Sequence, residues 1–206
     1  MARLRDIPTG MQKQVASQLG DFLSDTIVSF GAYESPLEVH ENFPVVAFAE
    51  TAELPFVSDI KELLHATGLQ HYQIAQGGQT VGFTITHENA RKLIIDSYNQ
   101  TGEANVISTV IDKIDGMEIS DNYEASILDA RSRHLGALVL TSAGSEPSLV
   151  VPFRVPMHQD ALRVGEAYTS SNFMEVLAGL PESGGMTIDG EGLSSSAQYE
   201  DFDAES

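Results

Sequence analysis

Two adjacent glycines, Gly77 and Gly78, separate two apolar segments in the stretch QIAQGGQTVGFTIT. Beyond the pair, Val81, Phe83 and Ile85 alternate with small or polar residues, which is the period-two pattern of a strand with one buried face. Two glycines between such segments favour a tight turn of type I′ or II′, because these turns require positive φ angles. The sequence therefore predicts a β-hairpin here, and with it an antiparallel sheet.

The glycine pair also raises the possibility of a phosphate-binding loop. Such a loop needs a helix directly behind the glycines and usually a lysine. Here GGQT leads into a strand and contains no lysine, so the hairpin is favoured. We expect the threonines of this strand, Thr80, Thr84 and Thr86, to lie opposite the apolar side chains, on a face that meets solvent in a lone domain and another subunit in an assembly.

The apolar patterns of residues 37–116 predict an α/β core. A short apolar run near 44–50 is typical of a buried strand, whereas 53–68 and 86–102 show helical spacing and end at glycines. The segment 104–114 fits a further strand, although its isoleucines also fit a helix. With the hairpin between the two helices, the order is the ferredoxin-like βαββαβ arrangement.

By this element order, residues 44–114 resemble the ACT and RAM regulatory modules. The resemblance concerns topology and carries no binding residues with it. It implies an alternative function in which a small ligand binds between paired modules.

Residues 1–36 are predicted to form an N-terminal arm and a long amphipathic helix. Apolar residues recur from 11 to 30 at spacings of three and four, and Thr9 and Gln12 occupy capping-box positions. The polar face holds one lysine and two aspartates, so we expect this helix to dock on the protein's own sheet or on a neighbour's rather than on lipid.

Residues 117–180 are predicted to form an antiparallel β-meander followed by a short helix near 171–179. The strands are expected near 123–128, 135–141 and 148–155, where apolar and β-branched residues are separated by turn-forming segments. Two prolines, at positions 152 and 156, should confine the last strand to an edge or a bulge.

The remaining residues, 181–206, form an acidic tail rich in glycine and serine and without lysine or arginine. Such a composition cannot bury enough apolar surface to fold alone. We expect the tail to be disordered, or ordered by a partner.

The chain carries a formal charge of −19, from 30 acidic and 11 basic residues. Such a surface repels phosphate backbones and anionic lipid, so we expect neither nucleic-acid nor membrane binding. The carboxylates are spread along the whole chain, which favours adaptation to high salt, where screening over roughly 3 Å at about 1 M makes self-repulsion tolerable. The composition therefore indicates a protein of a halophile, or of something that infects one.

Cysteine is absent, which excludes disulfides, thiolate catalysis and Cys-ligated metal sites. The two arginines near the N-terminus are not followed by an apolar signal segment, and no run approaches 18 apolar residues. We therefore expect a soluble protein that is made inside a cell.

The acidic link DKIDGMEISDNYE invites a calcium hypothesis. An EF-hand loop with its glycine at Gly116 would need oxygen ligands at Ile111 and Lys113 and a glutamate at Asn122, so the pattern fails at three points.

Catalytic motifs are also missing. The six histidines, at positions 40, 65, 71, 87, 134 and 158, show no HExxH spacing, and no serine lies in a GxSxG context. We expect no cofactor, no metal and no catalytic site.

One local positive cluster, formed by Arg131, Arg133 and His134, falls on the predicted tip between the first two meander strands. It is either a solvated turn or a docking point for a partner carboxylate, which arginine can bind through two hydrogen bonds.

The sequence as a whole favours an α+β protein that acts as a non-catalytic structural or interaction subunit of a larger oligomeric assembly. Its partners would be other protein subunits, and a virion component such as a tail, neck or capsid-associated protein is one setting. The alternatives are the ACT- or RAM-like sensor and, third, an enzyme whose carboxylates or histidines converge from distant positions.

Overall fold

A computed structural model describes residues 7–26, 36–49, 59–90, 92–99, 102–117, 123–157 and 160–179. The described residues form an α+β fold with one eight-stranded sheet, which confirms the predicted fold class at that level. The helices are α1 (Thr9–Thr26), α2 (Gly102–Asp115) and α3 (Ser170–Gly179). The strands are β1 (Leu37–Phe48), β2 (Leu64–Gln76), β3 (Gln79–Asn89), β4 (Lys92–Asn99), β5 (Tyr123–Ala130), β6 (Leu135–Ser142), β7 (Leu149–Arg154) and β8 (Tyr168–Thr169).

The sheet has the order β4-β3-β2-β1-β5-β6-β7-β8. Neighbours are antiparallel throughout except for β1 and β5, which are parallel and pair Val45 with Ile127 and Val46 with Leu128. Since parallel strands need a crossover, the chain returns from the β4 edge to β5 through α2. The sheet is thus continuous across the domain boundary predicted at 116/117.

The predicted glycine hairpin is confirmed. Gln76 pairs with Gln79 across the turn, and Gly77 and Gly78 both have positive φ, 58° and 77°. Two positive φ angles define a type I′ turn, whose twist matches that of the flanking strands.

The helix predicted over 53–68 is wrong. Within the described part of this segment, from 59 onward, only one short 3₁₀ turn occurs, at Ile60–Glu62, and β2 begins at Leu64. Gly68 has a φ of 79° but caps no helix. It lies in an irregular stretch of the β1–β2 ladder, where the register shifts between Pro44 and Val46.

The helix predicted over 86–102 is also wrong. β3 continues to Asn89, the chain turns at Ala90, whose φ is 50°, and β4 pairs back along β3 as a second hairpin. The apolar residues Leu93 and Ile95 fit a two-residue period as well as a helical one, and cross-strand pairing decides between the two.

The last segment of the predicted core, 104–114, is a helix rather than a strand. Ile107, Ile111 and Ile114 of α2 are all buried, as their spacing allowed. The ferredoxin-like order is therefore replaced by four consecutive strands, a helix and four further strands.

The core consists of three apolar clusters, each named after the helix whose buried side chains it contains: α1, α2 or α3. Side chains alternate along each strand, so on β5 Ile127 packs with the α2 cluster and Leu128 with the α3 cluster. The α1 cluster likewise takes Tyr72 and Ile74 of β2, whereas Phe83 and Ile85 of β3 belong to the α2 cluster. Hence α2 covers one face, and α1 and α3 cover the two halves of the other.

The predicted N-terminal amphipathic helix is present as α1, with Val15, Leu19 and Leu23 buried. Its predicted extension to residue 30 lies outside the described residues, as does the acidic tail 181–206. The short helix predicted near 171–179 is present as α3.

The strands predicted near 123–128, 135–141 and 148–155 correspond to β5, β6 and β7, which pair antiparallel in chain order. Pro152 pairs with Ala137 on β6, next to a register shift between Gly136 and Ala137. On its other side, β8 pairs only with Leu149 and Val150, so it does not reach Pro152. The backbone irregularity expected at this proline is therefore found.

Candidate functional site

Arg154, near the end of β7, connects three elements beneath the start of α2. Its Nη1 lies 2.7 Å from a carboxylate oxygen of Glu103 in the first turn of α2, and its Nη2 lies 2.6 Å from Asp129 on β5. The other oxygen of Asp129 accepts a bond from Arg131 Nε at 2.8 Å. Arg154, Glu103 and Asp129 are only 25–28% exposed, so these charge-assisted bonds are stronger than ordinary surface pairs. The network fixes the first turn of α2 over the sheet.

A cavity of about 20 Å³ lies beside this network, between α2 and the sheet. Its lining includes the charged residues Glu103, Asp129 and Arg154 together with His71 and Phe83. A space of this size holds about one water molecule.

His71, on β2, is the buried titratable group of this region and is 2% exposed. Its ring stacks on Phe83 with 4.6 Å between centroids and an angle of 22°. Burial lowers the pKa of His71 to about 3, because desolvation disfavours the charged imidazolium. Its Nε2 has no hydrogen-bond partner among the described residues. At neutral pH it is therefore an uncharged imidazole that can hydrogen-bond to a single water.

Next along β2, Gln73 is buried as well, and its amide nitrogen donates to the Ala104 carbonyl at 3.5 Å. Its Oε1 lacks a partner among the described residues. The face of the sheet beneath α2 thus contains two buried polar side chains, His71 and Gln73, beside the apolar residues that pack against α2.

The acidic residues at the end of α2 face β1. Burial raises the pKa of Glu41, with the nearby His40 opposing this and the Asp112 and Asp115 carboxylates adding to it. No three His, Cys, Asp or Glu side chains in the described ranges are grouped closely enough to hold a metal ion. Glu118 and Asp121 of the same link lie outside those ranges.

The predicted positive cluster is placed where the sequence indicated, in the turn between β5 and β6. A 3₁₀ turn runs from Arg131 to Arg133, and His134 follows it with a φ of 52°. Arg131 is 68% exposed while its Nε bonds to Asp129. The docking role of Arg131, Arg133 and His134 stays a prediction.

The three threonines of β3 do not form one exposed face, so that expectation is wrong. Thr84 and Thr86 are fully buried, and Thr84 donates to the Ser97 carbonyl at 2.7 Å. In register Thr84 lies between Tyr72 and Tyr98, which pack with the α1 cluster. The face that was expected to meet solvent is therefore covered.

Thr80 lies on the other side of the sheet, with its hydroxyl 2.8 Å from that of Ser108 on α2. A register shift between β2 and β3, where Ala75 pairs with Thr80 and Ile74 with Gly82, separates it from the other two threonines. A bulge of this kind changes the face to which a side chain points.

Strand β4 is the feature that sequence reasoning missed, because its segment was predicted to be helical. It is the terminal strand of the sheet, and its outer side pairs with no strand in the described part of the chain. Lys92, Ile94 and Asp96 are exposed along it, Ile94 at 38%. Asp96 also contacts the neighbouring strand, since both its carboxylate oxygens lie 2.8 Å from His87 Nδ1. The signal available in the sequence was the alternation of these three residues with Leu93 and Ile95.

No known family model, curated protein or solved structure matches the chain. Among the described helices, none has the length and apolar character needed to cross a membrane.

Proposed function

We propose that this protein is a non-catalytic structural or interaction subunit of a larger assembly, and that it joins other protein chains through the outer edge of β4. The observation that carries the proposal is the unpaired outer side of this eight-residue strand in the described structure. An edge strand presents a row of free N–H and C=O groups, to which a second chain can add a strand.

The backbone groups available on β4 follow from its pairing with β3. Asn89 pairs with Lys92 across a two-residue loop, so these two residues exchange both hydrogen bonds. Hydrogen-bonded and non-hydrogen-bonded pairs alternate along an antiparallel ladder. Ile94 is therefore the next residue of β4 whose backbone groups bond to β3, at His87. Leu93 and Ile95 therefore direct their N–H and C=O groups outward.

The side chains at this edge also support docking. Ile94 is one of the few large apolar side chains exposed among the described residues, and it lies at the centre of the free segment. Pairing with another strand would remove it from water, and burial of apolar surface is worth about 25 cal/mol per Å².

The net charge of −19 sets the conditions for association. Two such chains repel each other over a distance of one Debye length, which is about 10 Å at 0.1 M salt and about 3 Å at 1 M. The acidic composition thus supports a subunit that assembles at high ionic strength. The sensor alternative rested on a ferredoxin-like element order, which the described residues do not have.

The test is the molar mass of the purified chain in about 1 M KCl by light scattering, together with its elution size in an extract of its native source. We expect a mass above the 22.2 kDa of one chain in at least one of the two. Ile94→Lys should reduce that mass, because it places a charge at the centre of the edge.

Met157→Lys is the matched control, since it makes the same change at an apolar side chain that is 84% exposed and lies outside β4. A chain that is monomeric both when purified and in the extract would contradict the proposal, as would equal effects of the two substitutions.

A further inference from the structure

The exposed side chains of β4 have a symmetric arrangement about Ile94. Lys92 lies two residues before it and Asp96 two residues after it, so charges of opposite sign flank an apolar centre. Lys92 and Ile94 pair with Asn89 and His87, alternate residues of β3. Asp96 is the extra residue at a register shift in this ladder, since Ile95 pairs with Thr86 and Ser97 with Ile85, and its carboxylate contacts His87, the partner of Ile94. All three side chains therefore share one face of the sheet.

This arrangement is complementary to itself. If a second β4 lies antiparallel with Ile94 opposite Ile94, each Lys92 is opposite Asp96 of the other copy, and the pairing occurs twice. Opposite charges in directly opposed positions stabilise a strand pair, whereas like charges destabilise it. Centring the pair on Leu93 or Ile95 instead would place Ile94 opposite a charged residue.

The backbone selects the same register. Leu93 and Ile95 carry the outward N–H and C=O groups, and centring on Ile94 pairs Leu93 of each copy with Ile95 of the other. In an antiparallel ladder such a pair exchanges both of its hydrogen bonds. The Ile94 pair between them is of the non-hydrogen-bonded type, in which the side chains come closest.

We infer that the occupant of the β4 edge is a second copy of this chain, paired antiparallel about Ile94, so that two eight-stranded sheets become continuous. The inference rests on the proposed function and adds the identity and register of the partner. A two-fold interface of this kind uses one surface patch on both subunits. Lysine and a bulge on an edge strand often prevent pairing. Here a carboxylate at the symmetric position offsets the lysine, and the bulge at Asp96 lies beyond Leu93, Ile94 and Ile95, which form the centre of the pair.

The absence of cysteine makes a crosslinking test direct, since each substitution introduces the only thiol. In the inferred register the Ile94 Cα atoms lie about 4.5 Å apart, which is within the range that a disulfide spans. We expect Ile94→Cys to form a disulfide dimer on mild oxidation at micromolar concentration in 1 M KCl, at least about tenfold faster than Met157→Cys.

Lys92→Cys provides the register control. Two Lys92 positions would be four residues apart along the strand, about 13 Å, which no disulfide spans. Lys92→Cys alone should therefore stay uncrosslinked, whereas a mixture of Lys92→Cys and Asp96→Cys chains should form the mixed dimer.

A charge exchange tests the same register without oxidation. Lys92→Asp places two aspartates opposite each other at both ends of the segment, and Asp96→Lys does the same with lysines. Each single change should weaken dimerisation about tenfold, and the double variant Lys92→Asp/Asp96→Lys should restore it. All the variants keep the backbone hydrogen bonds to β3, although the Asp96 variants lose the side-chain contact with His87. Their circular dichroism spectra should therefore match that of the parent.

The outcomes separate the two proposals. Selective crosslinking at Ile94 with rescue by the double exchange supports both. A protein that assembles, but with Ile94→Cys crosslinking no faster than Met157→Cys or without rescue, overturns self-pairing and leaves the subunit proposal standing with a different partner strand. A chain that is monomeric in purified form and in its native extract overturns both.

Discussion

Acidification should destabilise this protein through His71, and the size of the effect follows from its burial. The ring is fully buried and its pKa is lowered to about 3 in the folded chain, against about 6.5 for an exposed histidine. Between these two values the unfolded chain binds a proton that the folded chain does not. The contribution of neutral His71 to the free energy of unfolding is therefore fully present above pH 6.5 and is lost as the pH falls toward 3.

The magnitude is about 1.4 kcal/mol for each pH unit in that window. At pH 5 the free energy of unfolding should be lower by about 2 kcal/mol than at pH 8 from this group alone, and at pH 4 by about 3 kcal/mol. Domains of this kind are stable by about 5–15 kcal/mol, so the loss is measurable.

Urea unfolding at fixed salt, from pH 8 to pH 4, measures the effect for the parent chain and for His71→Gln. The difference between the two curves should change by about 2 kcal/mol between pH 8 and pH 5. Carboxyl groups such as Glu41 and Asp115 are present in both chains and cancel in the difference. His65→Gln, at an exposed position of the same strand, is the matched control for the substitution itself.

Parallel curves for the parent and His71→Gln would show that the buried ring is not the group whose protonation in the unfolded chain lowers the free energy of unfolding. If His71→Gln does not fold, the ring carbon signals of His71 in the parent provide the same test. They should remain those of a neutral imidazole down to about pH 4.5, and protonation near pH 6.5 would refute the account.

Three further predictions test packing, the charge network and the surface. Gly82→Ala should destabilise the protein by about 1–3 kcal/mol in urea unfolding, because the new Cβ would lie 2.6 Å from the Asn99 carbonyl oxygen. Gly20→Ala in α1, where the new Cβ would meet no neighbouring residue within 4 Å, should instead stabilise it by up to about 1 kcal/mol. Arg154→Met should cost about 1–3 kcal/mol, because two partly buried carboxylates lose their partner, while Arg133→Met should change stability by less than about 0.5 kcal/mol. The dimer dissociation constant, measured by sedimentation, should fall as KCl rises from 0.1 to 1 M, and a rise would contradict the role given to the −19 charge.

The parts of the fold that the sequence predicted correctly are those with a local physical cause. Gly77 and Gly78 specify a turn that needs two positive φ angles, and the period of α1 is long enough to exclude a strand. The register shift beside Pro152 follows from the missing N–H of proline.

The two wrong helices came from short apolar runs with glycines behind them. Leu63 and Leu64, and Leu93 and Ile94, fit either period over so few residues, and pairing with strands distant in sequence decides the outcome. Because the 86–102 segment was predicted to be helical, β4 and its free edge were missed, although the alternation along residues 92–96 fits a strand.

The buried polar groups beneath α2 were equally out of reach. Nothing in the local sequence distinguishes His71 from the exposed His65 six residues earlier, and its environment is made by Phe83 and α2. Arg154 offered a weak signal as an arginine at the end of an apolar strand, but its partners lie 25 and 51 positions away.

Pairing through the β4 edge is tested most directly by the molar mass of the chain in about 1 M KCl, compared between the parent and Ile94→Lys. The parent should have twice the 22.2 kDa of one chain, Ile94→Lys should have the mass of one chain, and Met157→Lys should remain a dimer. A parent that stays at 22.2 kDa over the whole accessible concentration range, or a dimer that Ile94→Lys leaves intact, would rule out self-pairing through the β4 edge.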